Sequence, residues 1–223
     1  VPSNSEKPAA DVWSNLRRLQ PVSRVFGLDR GTSIDRYYVE RFLDRHRTDI
    51  RDRVLEVADA GYTKQFGDNR VTQSDVLHAT PGNRRATLVG DLCNGDGIPA
   101  GSFDCMILTQ VLPFIYDIHA AVRTIFNSLK PGGVTLVTLS GISQISRYDM
   151  DRWGDYWRFT DLSARKLFEG VFDPADVRVE ACGNVLVATA FLQGLAREEL
   201  TTDELEYFDP DYQMLITVRA CRH

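Results

Sequence analysis

Cysteine, histidine and basic charge are all scarce in this chain, and each scarcity argues against a class of function. The four cysteines (Cys93, Cys105, Cys182 and Cys221) lie far apart and form no C-x-x-C pair, so neither a zinc site nor a dithiol redox motif is suggested. Four histidines occur, and none stands with acids at metal-ligand spacing, so no metal is expected. With 26 Lys and Arg against 31 Asp and Glu, the formal charge is −5 and the pI is near 5.4, which argues against a general nucleic-acid binder. No apolar run nears the ~20 residues of a membrane-spanning helix, so no membrane partner is expected. No signal-peptide pattern opens the chain and no internal repeat is visible. Unpaired thiols fit a reducing compartment, and a cytoplasmic location is expected.

What is present is a length of 223 residues, 43% hydrophobic, which suits one sizeable α/β domain with a small extension. Residues 1–24 read as an arm rich in Pro, Ser and Ala, then a short helix capped by Asp11 that ends before Pro21; residues 25–223 read as a single domain. The spacing of Ile34, Tyr37, Tyr38 and Phe42 predicts a helix over 34–46. Short apolar runs rich in β-branched residues then predict strands at 54–57, 70–74, 86–90, 103–109 and 134–139. A helix from Ile118 to Leu129 precedes the turn Lys130-Pro131-Gly132-Gly133. Such βα repetition implies a largely parallel sheet with helices on both faces. Residues 140–160 are polar and aromatic, and read as an excursion over the sheet's carboxyl edge. Asp161 is placed as the cap of another helix, 177–181 and 213–220 as closing strands, 185–195 as strand or helix, and 201–211 as an acidic loop.

Chemistry concentrates around Arg53-Val54-Leu55-Glu56-Val57, which runs into the small-residue turn Ala58-Asp59-Ala60-Gly61, with Asp75 closing the next predicted strand. Strand, tight turn, helix, strand and acidic tip is the pattern of a nucleoside-binding unit: small residues admit a cofactor to the backbone, and a carboxylate accepts both hydrogen bonds of a vicinal diol. Ala58 and Ala60 stand where such turns usually carry glycine. An alanine costs ~1 kcal/mol or more wherever its φ must be positive.

Five blocks in order resemble class I S-adenosylmethionine-dependent methyltransferases, of the type 11-like branch that acts on sugars and small metabolites. They are Val54-Leu55-Glu56-Val57, Asp75, Gly90-Asp91-Leu92, Phe103-Asp104-Cys105-Met106-Ile107-Leu108-Thr109-Gln110, and Leu129-Lys130-Pro131-Gly132-Gly133-Val134. Tyr156-Trp157-Arg158-Phe159-Thr160 resembles a segment of that branch. The resemblance spans roughly residues 25–190 and implies a Rossmann-like seven-stranded, mostly parallel sheet with a late reversed strand. It also implies S-adenosylmethionine as cofactor. Glu56 would organise the loop at the cofactor's amino-acid end, with Ala58, Tyr62 and Thr63 lining it. Asp75 would hold the ribose, Asp91 and Leu92 would flank the adenine, and Gln110 would line the pocket.

Upstream, Arg30 (or Arg36) and Tyr37 are candidates for the cofactor's carboxylate and the closing helix. The segment holding Trp153, Asp155, Tyr156, Trp157 and Arg158 is the candidate acceptor site, because aromatic faces stack on sugars or flat rings. His119 and Asp155 are the candidate catalytic bases. The expected activity is methyl transfer to a small-molecule acceptor, a sugar hydroxyl, an amine or a secondary metabolite, in a chain that also forms a homodimer. The alternative is a methyltransferase-like domain that binds cofactor or a protein partner without methylating. A nicotinamide-dependent oxidoreductase ranks last, since Tyr148 is followed at the fourth place by Arg152 rather than lysine.

Overall fold

The computed structural model describes residues 18–223. The short helix expected from Asp11 lies almost wholly outside the described residues. Seven strands form one sheet in the order β3-β2-β1-β4-β5-β7-β6. They are β1 (Asp52–Val57), β2 (Val71–His78), β3 (Leu88–Val89), β4 (Phe103–Thr109), β5 (Leu129–Ser140), β6 (Val177–Cys182) and β7 (Leu215–Cys221). The first five pair in parallel, and β7 runs antiparallel to both β5 and β6. This is the expected seven-stranded sheet with its late reversed strand.

Alternation along each central strand supplies both faces of the core. Val54, Cys105, Ile107 and Leu136 pack under α1 (Ile34–Arg45) and α5 (Val185–Gln193), whose Ile34, Phe42, Val187 and Phe191 are buried against them. Leu55, Met106, Leu108 and Val137 face α2 (Ile118–Ser128) and α4 (Asp161–Glu169), covered by Val122, Ile125, Leu167 and Phe168. A parallel sheet apolar on both faces requires helices on both. The central strands therefore read as continuous hydrophobic runs.

Several elements differ from or refine the sequence expectation: β5 begins at Leu129 and takes in the expected turn Lys130-Pro131-Gly132-Gly133, and β3 is only two residues long. The acidic 201–211 stretch contains a helix, α6 (Thr202–Glu206), because Thr201 and Glu204 form a capping box. The ambiguous 185–195 run is helical, started by the Asn184 side chain on the Val187 N–H and ended by Gly194 in the left-handed region. Most consequential, β2 runs on to His78 instead of ending at Ser74. Residues 141–160 carry one short helix, α3 (Arg147–Met150), and otherwise irregular chain.

A cleft at the carboxyl ends of the strands

The strand order reverses between β1 and β4, and a cleft lies over their carboxyl ends, as expected where a doubly wound sheet switches direction. It has two lobes of about 370 and 580 Å³, each large enough for part of a ligand. The smaller lobe runs from Ser33, Asp35 and Arg36 of the α1 entry to Ser140, Asp155 and Arg158. The larger runs over the ends of β2 and β3 (His78, Ala79, Asp91, Leu92) to Tyr116, Trp153 and Tyr156. Their common wall is Val57, Ala58, Thr109, Gln110, Phe114 and Asp149.

Glu56 holds the turn after β1. Its buried carboxylate accepts hydrogen bonds from the Tyr62 N–H (3.1 Å), the Thr63 N–H (2.7 Å) and the Thr63 hydroxyl (2.7 Å). Burial raises its pKa above the ordinary carboxyl range, and these hydrogen bonds offset part of the rise. Ala58 takes φ +73°, the left-handed geometry that favours glycine. Its N–H donates to the Leu77 carbonyl (3.0 Å) and its carbonyl accepts from Asn83 Nδ2 (2.8 Å), so the strained residue is pinned on both sides. Gln110 is also left-handed, at φ +55°, with its side-chain oxygen accepting from Ser140 Oγ at 2.7 Å. With Phe26 (φ +58°), three non-glycine residues in this region line one cleft and mark strain concentrated where ligands approach backbone.

A family model described as a methyltransferase domain matches residues 14–177, well over half of the chain. The chain belongs to that methyltransferase family. Among curated proteins none matches. Solved structures share the fold: the N-methyltransferase NodS of Bradyrhizobium japonicum WM9, bound to S-adenosyl-L-homocysteine, is 13% identical with a TM-score of 0.55, covering 91% of this chain and 94% of that one. A methyltransferase solved with the Haloferax volcanii Trm112 activator is 16% identical, with a TM-score of 0.50 and coverage of 85% and 94%. Phosphoethanolamine N-methyltransferase 2 of Haemonchus contortus is 15% identical, with a TM-score of 0.52, over 85% of this chain and 57% of that one. The sheet is thus the class I S-adenosylmethionine-dependent methyltransferase fold.

Within this methyltransferase, Glu56, Ala58, Tyr62, Asp91, Leu92 and Gln110 all line the cleft. Burial pushes the Tyr62 hydroxyl up to about 12, so it stays protonated. Several expected residues lie elsewhere. Asp75 is inside β2, not at its tip; its buried carboxylate accepts from Arg53 Nε (2.8 Å), Gln73 Nε2 (3.1 Å) and Thr87 Oγ1 (3.0 Å). The residues at the strand's end are His78 and Ala79, and His78 meets Trp153 edge-on with ring centroids 5.6 Å apart. Thr63 spends both donors on Glu56 and does not face the cleft. Arg30 pairs with Glu199 through two hydrogen bonds on the outer surface, and Tyr37 bonds Glu206 and Arg41 away from the cleft. Three arginines line the cleft: Arg158 is paired with Asp155, whereas Arg36 in the smaller lobe and Arg152 in the larger have no ion-pair partner among the described residues.

The acceptor and catalytic candidates also separate. Trp153 and Tyr156 line the larger lobe, where Gly154 at φ +96° leaves room for the Tyr156 ring that a Cβ would strike at 2.1 Å. Arg158 lines the smaller lobe and clamps Asp155 through its two terminal guanidinium nitrogens (2.5 and 2.9 Å). Asp155 also accepts from the Ser146 N–H (2.9 Å), and its side chain is 1% exposed. Burial works to raise its pKa, but the Arg158 and Ser146 hydrogen bonds outweigh that and hold it below the ordinary range, so it is a locked anion rather than a base. Trp157 plugs the core, its indole N–H donating to the Ile115 carbonyl (3.0 Å). His119 is exposed on the first turn of α2 and lines neither lobe. Sequence reasoning missed His78, Phe114 and Asp149. Only the carboxyl-end position of Phe114, five residues after β4, carried a signal.

Proposed function

We propose that this chain methylates a small-molecule acceptor, a hydroxyl or amine on a sugar or related metabolite, with S-adenosylmethionine held across the two lobes. The carrying observation is that the lobes meet over the strained Ala58 turn and the β4 end, so one elongated ligand can cross both. In the larger lobe, Leu92, Ile115, Tyr116 and Tyr156 offer apolar and aromatic surface for the adenine, and Asp91 is at hand for its amino group. His78, rather than an acid, stands where the ribose would lie. In the smaller lobe, Arg36 offers a guanidinium for the methionine carboxylate, and Glu56 keeps Tyr62 and the turn in place. These residues fit the group.

When bound, the sulfonium supplies an already activated methyl carbon. The protein's share is therefore to orient the acceptor and exclude water. The 141–160 segment roofs the cleft for this purpose, with the Tyr156 and Trp157 N–H groups both donating to the Pro113 carbonyl. Labelled-methyl transfer from S-adenosylmethionine to a panel of sugars, amino sugars and amines tests the proposal. Transfer to at least one class is expected. Transfer to none, with S-adenosylhomocysteine still binding, would favour a domain that keeps the cofactor site without methylating.

A further inference from the structure

An S-adenosylmethionine molecule bound as proposed carries its sulfur between the adenosine and the amino-acid arm. The reacting centre therefore belongs where the two lobes share lining. Of the six residues there, Val57, Ala58, Thr109, Gln110, Phe114 and Asp149, only Asp149 is ionisable. Its placement is fixed locally. Ser146 caps α3, accepts weakly from the Asp149 N–H (3.4 Å) and donates its hydroxyl to Asp149 Oδ2 at 2.5 Å. Oδ1 has no hydrogen-bond partner among the described residues, and no cation pairs with this carboxylate there. Of the other acids lining the lobes, Glu56 is held by the turn, Asp155 by Arg158 and Asp59 by the Gly61 N–H, while Asp35 and Asp91 each lie in a single lobe, away from the shared wall.

We propose that Asp149 is the acceptor anchor of this site and that it selects an amine. This rests on the reading of the cleft given above. A carboxylate with one free oxygen accepts an N–H from the acceptor nitrogen and points its lone pair at the methyl carbon. As the N–C bond forms, the C–S pair stays with sulfur and the positive charge passes to nitrogen, still beside Asp149. The surplus proton stays on nitrogen until Asp149 or water takes it. A charge-assisted hydrogen bond of this kind contributes ~1.5–3 kcal/mol. An alcohol gains less, because the ether it forms retains no positive charge beside the carboxylate once its proton has left, and the wall shared by the two lobes holds no histidine to take that proton.

The test needs no knowledge of the acceptor. Sinefungin carries an amine at the position of the transferred methyl, whereas S-adenosylhomocysteine is neutral there. Both are titrated calorimetrically into the wild-type protein and into Asp149→Asn and Asp149→Ser, with melting temperatures confirming folding. Wild type should prefer sinefungin by about tenfold or more, and both variants should lose most of that preference while keeping S-adenosylhomocysteine affinity. A purely structural cap would move stability but not the ratio. Equal wild-type affinities, or a preference that survives in the variants, overturns the anchor. Failure of either ligand to bind wild type overturns the cleft reading beneath it instead.

Discussion

Replacing Ala58 with glycine should stabilise this protein, the reverse of the usual effect. At φ +73° an L-residue brings its Cβ too close to the following carbonyl, at a cost of ~1–2 kcal/mol that glycine does not carry. Against that gain stands the extra freedom glycine gives the unfolded chain, ~0.4–1 kcal/mol. The φ will not relax in the variant, because the Leu77 carbonyl and Asn83 amide hold both sides of the residue. The net is a gain of ~0.5–1 kcal/mol, which in a chain of this size is a rise in melting temperature of ~1–4 °C. Urea unfolding of Ala58→Gly should show the same sign. Ala120→Gly, in the first turn of α2, is the control and should lose ~0.5–1 kcal/mol. A loss at position 58 matching that control would refute the strain argument.

Other expectations follow from the same contacts. Asp75→Ala removes three hydrogen bonds and leaves Arg53, 27% exposed, without its partner. It should cost ~2–3 kcal/mol, somewhat below a fully buried pair, with S-adenosylhomocysteine affinity unchanged; equilibrium unfolding and calorimetry read the two effects separately. Glu56→Gln sets an amide donor against the Tyr62 or Thr63 donors. It should loosen the turn and weaken S-adenosylhomocysteine about tenfold, equivalent to ~1.4 kcal/mol. Asp155 has a lowered folded pKa, so its stabilisation is present above the ordinary aspartate range and is lost as pH falls through the folded value. Glu56 and Asp35, both raised by burial, run the other way and favour the folded state as they protonate. Asp155→Asn should therefore flatten the acid limb of a urea-midpoint profile; parallel wild-type and variant profiles would count against this.

How much was legible depended on whether local pattern or cross-strand packing decided the point. β4 spans the same residues in sequence and structure, and α1 and α2 differ from expectation by one residue each, because apolar periodicity and turn residues are local signals. Asp75 was misjudged because an acid after Gln73 and Ser74 looks like a strand end. Only the neighbouring strand, with Arg53 reaching across, makes a carboxylate tolerable inside β2. The choice between Arg30 and Arg36 turned on Glu199, 169 residues downstream, which no local window contains. Thr201-x-x-Glu204 is a capping box legible in the sequence, and it starts a helix within the acidic 201–211 stretch. In the sequence Asp149 is one of three aspartates between 149 and 155, with nothing local to single it out. Its importance arises only where the two lobes meet.

Calorimetric titration of the purified chain with S-adenosylhomocysteine, beside NADH, tests the central reading most directly. Micromolar binding of the first, none of the second, and weakening in Arg36→Ala are the expected results. Absence of S-adenosylhomocysteine binding, or equal binding of NADH, would contradict the placement of this cofactor across the cleft.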